Sequence, residues 1–207
     1  MAAIINAGTS GPGGIQIGGD ASGVLQLQAA GNTYVTITGG STSNTVSIPG
    51  GVGGTAAFSA SLSAHQTISN GVATKVQFNT VEYDLTGAYD PTTNYRYTPK
   101  TAGYYLVSST LTWDSASGNP PYLSQSYLYK NGSLFKSAIY YLYTSGGTPW
   151  LVSSLPITTV VYMNGTTDYL EMYGISYLAS TGSPRIDANN TGSAPASWFQ
   201  ATLIRSA

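Results

Sequence analysis

Alternation of apolar and polar residues runs through most of this chain and constrains its fold more than any other feature. Val72, Thr74, Val76 and Phe78 occupy every second position of one stretch, with polar side chains between them. Successive residues of a β-strand face opposite sides, so this spacing places the four on one face. No segment shows a sustained apolar period of about 3.6 residues, which an amphipathic helix requires. The chain is therefore predicted to be all-β.

The alternation continues to the end of the chain and is interrupted by turn residues. Further predicted strands are Gln125–Tyr129, Leu134–Tyr141, Leu155–Met163, Asp168–Tyr173 and Trp198–Arg205, preceded by a strand in which Tyr105, Val107, Ser109, Leu111 and Trp113 share one face. The dipeptides Asn131-Gly132 and Asn164-Gly165 are typical of tight hairpin turns. Many short strands with regular turns predict a sandwich or jelly roll.

Residues 1–54 form a separate, Gly-rich region. It carries apolar pairs at strand spacing: Ile15 and Ile17, Leu25 and Leu27, Val35 and Ile37, and Val46 and Ile48. So few apolar side chains cannot make a core within one chain. We therefore predict a β-containing stalk that orders where three chains wrap around one axis, with a flexible linker as the alternative. The predicted domains are residues 1–54 and 55–207.

Composition excludes several classes of partner and chemistry. Charged residues make up 7% of the chain and the net charge is −1, against about 25% charged residues in an ordinary soluble domain. Lys and Arg are not clustered, so no nucleic-acid partner is expected. Cysteine is absent, which removes disulfides and thiolate chemistry. No apolar run is long enough to span a membrane and the first residues do not resemble a secretory signal, so membrane insertion is not expected.

The order of short motifs from Ala57 to Ile204 resembles the C1q-like branch of the C1q/TNF-like superfamily. The matching segments are Phe58-Ser59-Ala60, Val76-Gln77-Phe78, Tyr89-Asp90-Pro91, Ala102-Gly103-Tyr104-Tyr105, Leu128-Tyr129-Lys130-Asn131-Gly132, Asp168-Tyr169-Leu170-Glu171-Met172 and the closing Phe199-x-Ala201-x-Leu203-Ile204. The resemblance implies a ten-stranded jelly-roll sandwich that packs as a homotrimer, with the termini at the base and loops at the crown. It also implies a protein that is not an enzyme.

A second, shorter resemblance concerns the front of the chain. The segment from Gly18 to Gln28 is similar to segments of bacteriophage tail-fibre and other virion proteins. A collagen stalk, which precedes the C1q-like domain in animal members of the superfamily, is absent. Together the two resemblances imply a virion protein, made in the cytoplasm of a bacterial host, whose residues 1–54 attach to other virion proteins.

Catalytic chemistry has little support in the residues. The single histidine, His65, lies in a polar stretch without a matching acid or nucleophile motif. A weak calcium motif begins at Asp187 and Asn189, but Trp198 stands where the bidentate Glu should be. Because some members of the superfamily bind calcium at trimer loops, Asp84, Asp90, Asp187 and Asn189 are the candidate metal ligands. The alternative is a polar surface turn, and no other cofactor is expected.

Seventeen tyrosines are the remaining feature of the sequence. Most are expected in the core or on sheet faces, but six aromatic residues lie near predicted loops: Tyr122, Tyr140, Tyr141, Tyr143, Trp150 and Tyr177. Rigid rings with polar tips suit recognition of sugars or protein surfaces. These six are therefore the candidate ligand-binding residues, for a host cell-surface glycan or protein. Packing between subunits is the competing interpretation.

Three functions follow from these observations. The first is a non-enzymatic homotrimeric virion protein, a short fibre or receptor-binding knob for host attachment. The second is a capsid decoration trimer that stabilises the phage head. The third is a bacterial or secreted carbohydrate-binding module.

Overall fold

The computed structural model of the chain describes residues 24–29, 32–38, 45–47, 56–115, 121–141, 152–178, 181–189 and 194–207. These residues form β-strands and turns, and no helix occurs among them. None of them forms a segment that could cross a membrane as a helix. The chain divides into two compact units, Met1–Val52 and Gly53–Ala207.

The first unit contains a three-stranded antiparallel sheet of β1 (Val24–Ala29), β2 (Asn32–Thr38) and β3 (Thr45–Ser47). Its register aligns the apolar pairs across the strands. Leu25 is opposite Ile37, which is opposite Val46, and Leu27 is opposite Val35. In this antiparallel register the first residue of one apolar pair is opposite the second residue of the next pair. Ile15, Ile17 and Ile48 lie outside the described residues.

The second unit is a sandwich of two antiparallel sheets. In chain order its strands are β4 (Ala57–Ser61), β5 (Gln66–Thr67), β6 (Thr74–Lys75), β7 (Thr80–Asp84), β8 (Tyr89–Asp90), β9 (Arg96–Tyr97), β10 (Gly103–Ser115), β11 (Pro121–Lys130), β12 (Ser133–Tyr141), β13 (Val152–Met163), β14 (Leu170–Leu178), β15 (Pro184–Ile186) and β16 (Trp198–Ser206). The first sheet has the order β5-β15-β10-β16-β4-β7, with β13 also paired to β10. The second has the order β12-β11-β14-β9-β8, with β6 also paired to β14.

Alternation along the strands places one face of each sheet in the core. On β10, Tyr105, Val107, Ser109, Leu111 and Trp113 share one face, as predicted, and all five are buried. The core side chains of the first sheet pack against those of the second, which include Leu128 and Met172. Burial of such side chains contributes about 1.5–3 kcal/mol each before chain entropy is subtracted, so this alternation is the main source of the sandwich's stability.

An aromatic cluster joins the two sheets at the centre of the core. The Phe58 ring stacks on the Tyr97 ring at a centroid distance of 4.2 Å and on the Tyr89 ring at 4.8 Å. Phe199 meets Phe58 edge-on at 4.9 Å. Phe58 and Phe199 come from paired strands of the first sheet, so the cluster ties the first strand of the sandwich to the last.

One end of the sandwich carries the last residue of the chain. Gly103 pairs with Ser206 at the start of β10. Lys130, at the end of β11 in the other sheet, donates to the Tyr162 carbonyl oxygen at 2.7 Å. We call this the base end.

The opposite, crown end is where β10 finishes and β11 begins. Ser115 pairs with Pro184 in the first sheet. In the second sheet Leu123 pairs with both Tyr141 and Tyr177. Three of the predicted ligand-binding tyrosines thus belong to strand ends at the crown.

Two local predictions from the sequence need correction. Asn164-Gly165 does not close a hairpin, because β13 and β14 belong to different sheets and the turn crosses between them. Val76 and Phe78 are buried as predicted, but Val72 on the same expected face is 51% exposed. The ladder of β6 spans only Thr74–Lys75, so the alternation did not extend to Val72. Asn131-Gly132 does form a tight hairpin, with φ of 52° and 76°.

Candidate functional site

Three of the predicted ligand-binding residues, Tyr122, Tyr141 and Tyr177, meet at the crown end of the second sheet. The Tyr122 ring lies 6.4 Å from the Tyr141 ring and 6.1 Å from the Tyr177 ring, centroid to centroid. Their strands are neighbours, and the register of β11 with β12 and β14 brings them together. Tyr141 is 66% exposed and Tyr122 is 37% exposed. We call these three residues the crown tyrosines.

The other predicted aromatic residues do not join this group within the described structure. Tyr140 is adjacent to Tyr141 on β12 and faces the other side of the strand, where it packs against the core. Tyr143 and Trp150 lie outside the described residues. The crown tyrosines remain a predicted binding surface, since the arrangement alone does not identify a ligand.

A second group of tyrosines lies on the outer face of the second sheet, where sequence reasoning did not single it out. The rings of Tyr129 and Tyr173 lie 4.5 Å apart, and Tyr127 is 6.2 Å from Tyr129. Lys75 Nζ lies 5.7 Å from the centre of the Tyr173 ring. Burial raises the pKa of the Tyr173 phenol, and the Glu171 carboxylate adds to the effect. The sequence signal for this group was the alternate spacing of Tyr127 and Tyr129 on β11.

Beside these tyrosines a buried carboxylate binds two cations. Glu171 Oε1 lies 2.7 Å from Lys75 Nζ and 2.7 Å from Arg96 Nη2. The Arg96 guanidinium also stacks over the Tyr169 ring at 4.0 Å. Removing either partner of a buried ion pair leaves an uncompensated charge, so this cluster has a structural role that ties β6, β9 and β14 together.

Two of the predicted metal ligands, Asp84 and Asp90, bond to backbone groups of their own loops. Asp84 accepts the N–H groups of Thr86 and Tyr89. Asp90 accepts those of Thr92, Thr93 and Asn94. The N–H groups of Thr93 and Thr92 hold the pKa of the Asp90 carboxyl well below its usual range. Both carboxylates therefore act as local turn caps in this structure.

Asp187 and Asn189 follow β15 at the crown end. Asp187 is buried, with Oδ1 2.6 Å from His65 Nδ1. The Asn189 N–H donates to the same oxygen at 3.2 Å. Among the described residues no three His, Asp or Glu side chains form a group that could hold a metal ion. Calcium binding stays a prediction, and a cation at Asp187 would compete with His65.

The outward face of the first sheet is apolar over several strands. Tyr104 and Leu106 on β10 are opposite Tyr162 and Val160 on β13, and all four side chains are exposed. The Tyr104 and Tyr162 rings lie 5.5 Å apart. Tyr83 on β7 and Ile204 on β16 are also exposed, and Tyr83 lies beside Leu106. We call it the apolar sheet face.

A shallow depression of about 90 Å³ lies within the apolar sheet face. Tyr83 and Leu106 line it together with Ser108, Gln200 and Thr202. A contiguous exposed patch of this kind is typical of a surface that binds another protein. The sequence placed Leu106, Ser108, Gln200 and Thr202 in strands, but it did not predict the strand of Tyr83 or indicate which face would stay uncovered.

Comparison with known proteins shows the fold. No protein-family model matches the chain, and no curated protein is similar to it. Among solved structures, Eiger TNF from S. frugiperda superposes with a TM-score of 0.51 at 10% identity, covering 73% of this chain and 94% of that one. The globular domain of zebrafish complement 1qA superposes with a TM-score of 0.50 at 13% identity, covering 73% and 99%.

The fold is therefore an all-β, C1q/TNF-like jelly roll, as the sequence predicted. The sandwich unit has short two-residue strands, β5, β6, β8 and β9, in addition to its longer ones. At such low identity the likeness concerns the fold alone, and it leaves function to be argued from this chain's own surfaces.

Proposed function

We propose that this protein is a non-enzymatic, homotrimeric virion structural protein. Its jelly-roll unit is the head of a short fibre or receptor-binding knob, and residues 1–54 attach it to other virion proteins. Three copies of one weak host-binding site on a rigid axis raise avidity without strong affinity at any single site. The virion assignment is supported by the similarity of the segment from Gly18 to Gln28 to tail-fibre proteins.

The observation that carries the homotrimer is the apolar sheet face. Val160 is 48% exposed beside Tyr104, Leu106 and Tyr162, which form a row across β10 and β13. Leaving these side chains in water forgoes a stabilisation of about 25 cal/mol for each Å² that a neighbour could cover. The depression beside Leu106 offers a place for a side chain of that neighbour.

The first unit supports the same assembly. Its register aligns Leu25, Ile37 and Val46 in one row across three strands. Three strands are the smallest sheet that can be stable alone in water, and this one has few apolar side chains to form its hydrophobic face. Copies of the same sheet from three chains supply the missing apolar contact.

The mass of the purified chain, measured by light scattering, tests the assembly. The expected mass is three times the 21.5 kDa of one chain. A mass of one chain, unchanged by concentration, would contradict the homotrimer.

Binding to particles and cells tests the role. A fibre knob is expected to be retained by host cells in a pull-down, whereas a capsid decoration trimer would bind only empty capsids. A carbohydrate-binding module would occur outside any particle as a monomer, and free sugar would elute it. Each result selects one of the three functions.

A further inference from the structure

A polar recess opens beside β5, the edge strand of the first sheet. One wall is formed by residues 62–66, between β4 and β5, and the other by Gln77 and Asn79, between β6 and β7. Its volume is about 200 Å³. Small-molecule sites in proteins are typically about 300–1,000 Å³, so this smaller recess would take a single small ring rather than a whole ligand.

Hydrogen bonds within the protein hold the polar side chains of the recess in place. Asn79 Oδ1 accepts from the Ser63 N–H at 2.9 Å, and Asn79 Nδ2 donates to Ser63 Oγ at 2.8 Å. Gln66 Nε2 donates to the Lys75 carbonyl oxygen, and Gln66 Oε1 accepts from the Gln77 N–H. Side chains that are already ordered lose little entropy when a ligand binds.

His65 is oriented by a buried carboxylate. Its Nδ1 lies 2.6 Å from Asp187 Oδ1, and the Asp187 side chain is 4% exposed. Within the part of the chain that the structure describes, Nε2 of His65 has no hydrogen-bond partner. Nδ1 also lies 3.2 Å from the Ala188 N–H, from which it accepts when it carries no proton. Nε2 then carries the ring proton and donates, whereas Nε2 accepts when the proton is on Nδ1 and faces Asp187. A hydroxyl group, which both donates and accepts, suits either state.

We propose that this recess binds one pyranose unit of a neutral glycan. Apart from His65 the lining has no ionisable side chain, which disfavours a strongly charged ligand. Its hydroxyl, amide and imidazole groups offer donors and acceptors in one place, matching the hydroxyls of a sugar. Buried Leu62 contributes an apolar part of the lining, against which the C–H face of the ring packs. The inference rests on the proposed function only in placing this glycan on a host surface.

The test uses the full chain and a panel of methyl pyranosides: glucoside, galactoside, mannoside, rhamnoside and N-acetylglucosaminide. Saturation-transfer NMR is followed by titration to obtain Kd. At least one of these neutral sugars is expected to bind saturably. No saturable binding by any member of the panel overturns the proposal.

Two variants locate the bound sugar. Ala64→Trp fills the recess from an exposed position and is expected to weaken binding by about tenfold or more. Gln77→Ala removes an amide whose side chain makes no hydrogen bond with a described residue, and is expected to weaken binding about fivefold, as for one hydrogen bond. Gln125→Ala, on the outer face of the second sheet, is the matched control and is expected to keep the wild-type Kd. Equal affinity in wild type and Ala64→Trp overturns the proposal.

The outcome is separable from that of the proposed function. The recess is built within one chain, so a monomeric protein that binds a pyranoside with the expected variant pattern supports the recess and contradicts trimeric display. A protein that is trimeric on virions but binds no pyranoside would overturn the glycan site in the recess and leave the proposed display function standing.

Discussion

At the scale of single residues, Gly174 on β14 is a position in the core that has no room for a side chain. A Cβ atom placed there would lie 2.5 Å from Cη2 and 2.7 Å from Cζ2 of Trp113. Trp113 is fully buried, so its ring has no free space to move into. The absent side chain of Gly174 is what lets the largest core residue cross between the sheets.

Gly174→Ala is therefore expected to destabilise the protein by about 1–3 kcal/mol through overpacking. The measurement is the free energy of unfolding in urea. Ser137→Ala, an exposed position on β12, is the control and is expected to change stability by less than about 0.5 kcal/mol. Equal stability of Gly174→Ala and wild type would mean that the ring relocates without cost.

Asp168 is a residue whose charge stabilises the base end. Burial raises the pKa of its carboxyl, but the Asn131 amide, Lys130 and the Asn164 N–H outweigh burial and lower it. Lys130 Nζ lies 2.9 Å from Oδ2, and Asn131 Nδ2 donates to Oδ1 at 2.7 Å. A carboxyl with a lowered folded pKa contributes stability above its unfolded pKa, about 3.9, and loses it as the pH falls through the folded value.

Asp168→Asn should consequently be less stable than wild type at pH 7, and the difference should shrink as the pH falls below about 4. Urea unfolding of both proteins at pH 7 and pH 3 measures this difference. A difference that stays constant between the two pH values would show that the charge of Asp168 does not contribute.

At the scale of elements, turn chemistry and register explain where strands meet. Asn131 and Gly132 both adopt positive φ, which a hairpin turn of the primed type requires. The Asn131 side chain also accepts the Tyr169 N–H at 2.9 Å, so the β11–β12 turn is bonded to the start of β14. Asn164 instead accepts the N–H groups of Thr166, Thr167 and Asp168, which makes a compact turn between the two sheets.

The three strands of the first unit lead to a prediction at this scale. Residues 1–54, expressed alone at low concentration, are expected to give the circular dichroism of an unfolded peptide, because one copy of β1–β3 cannot bury its few apolar residues. The full-length protein under the same conditions is the control. A stable folded monomer of residues 1–54 would refute the need for shared packing.

At the scale of the whole molecule, the two faces of the first sheet have different roles. The inward face carries the buried core, including Tyr105 and Leu111, while Tyr104 and Leu106 on the same strand face outward and are exposed. An ordinary solvent-facing sheet would carry polar residues at these outward positions. The exposed apolar row is therefore the surface that the proposed trimer would bury between copies.

Val160→Glu is expected to convert the proposed trimer to a monomer, because a carboxylate within the apolar sheet face would be desolvated without a partner in the contact. Light scattering gives the mass, and the melting temperature of wild type should rise with protein concentration while that of the variant should not. Val72→Glu, at a comparably exposed position outside the face, is the control and should remain a trimer. A trimeric Val160→Glu protein would place the interface elsewhere.

The local sequence pattern was sufficient to predict the strand alternation of β10, the hairpin at Asn131 and the all-β fold class, because periodicity and turn residues act over a few positions. Three contacts join residues that are far apart in the chain: His65 with Asp187, Tyr122 with Tyr141 and Tyr177, and Trp113 with Gly174. Only tertiary structure decides these contacts, since strand order and register determine which distant residues become neighbours. For the same reason, the sequence predicted that Val160 lies in a strand, but only the packing of the two sheets decided that its side of that strand is exposed.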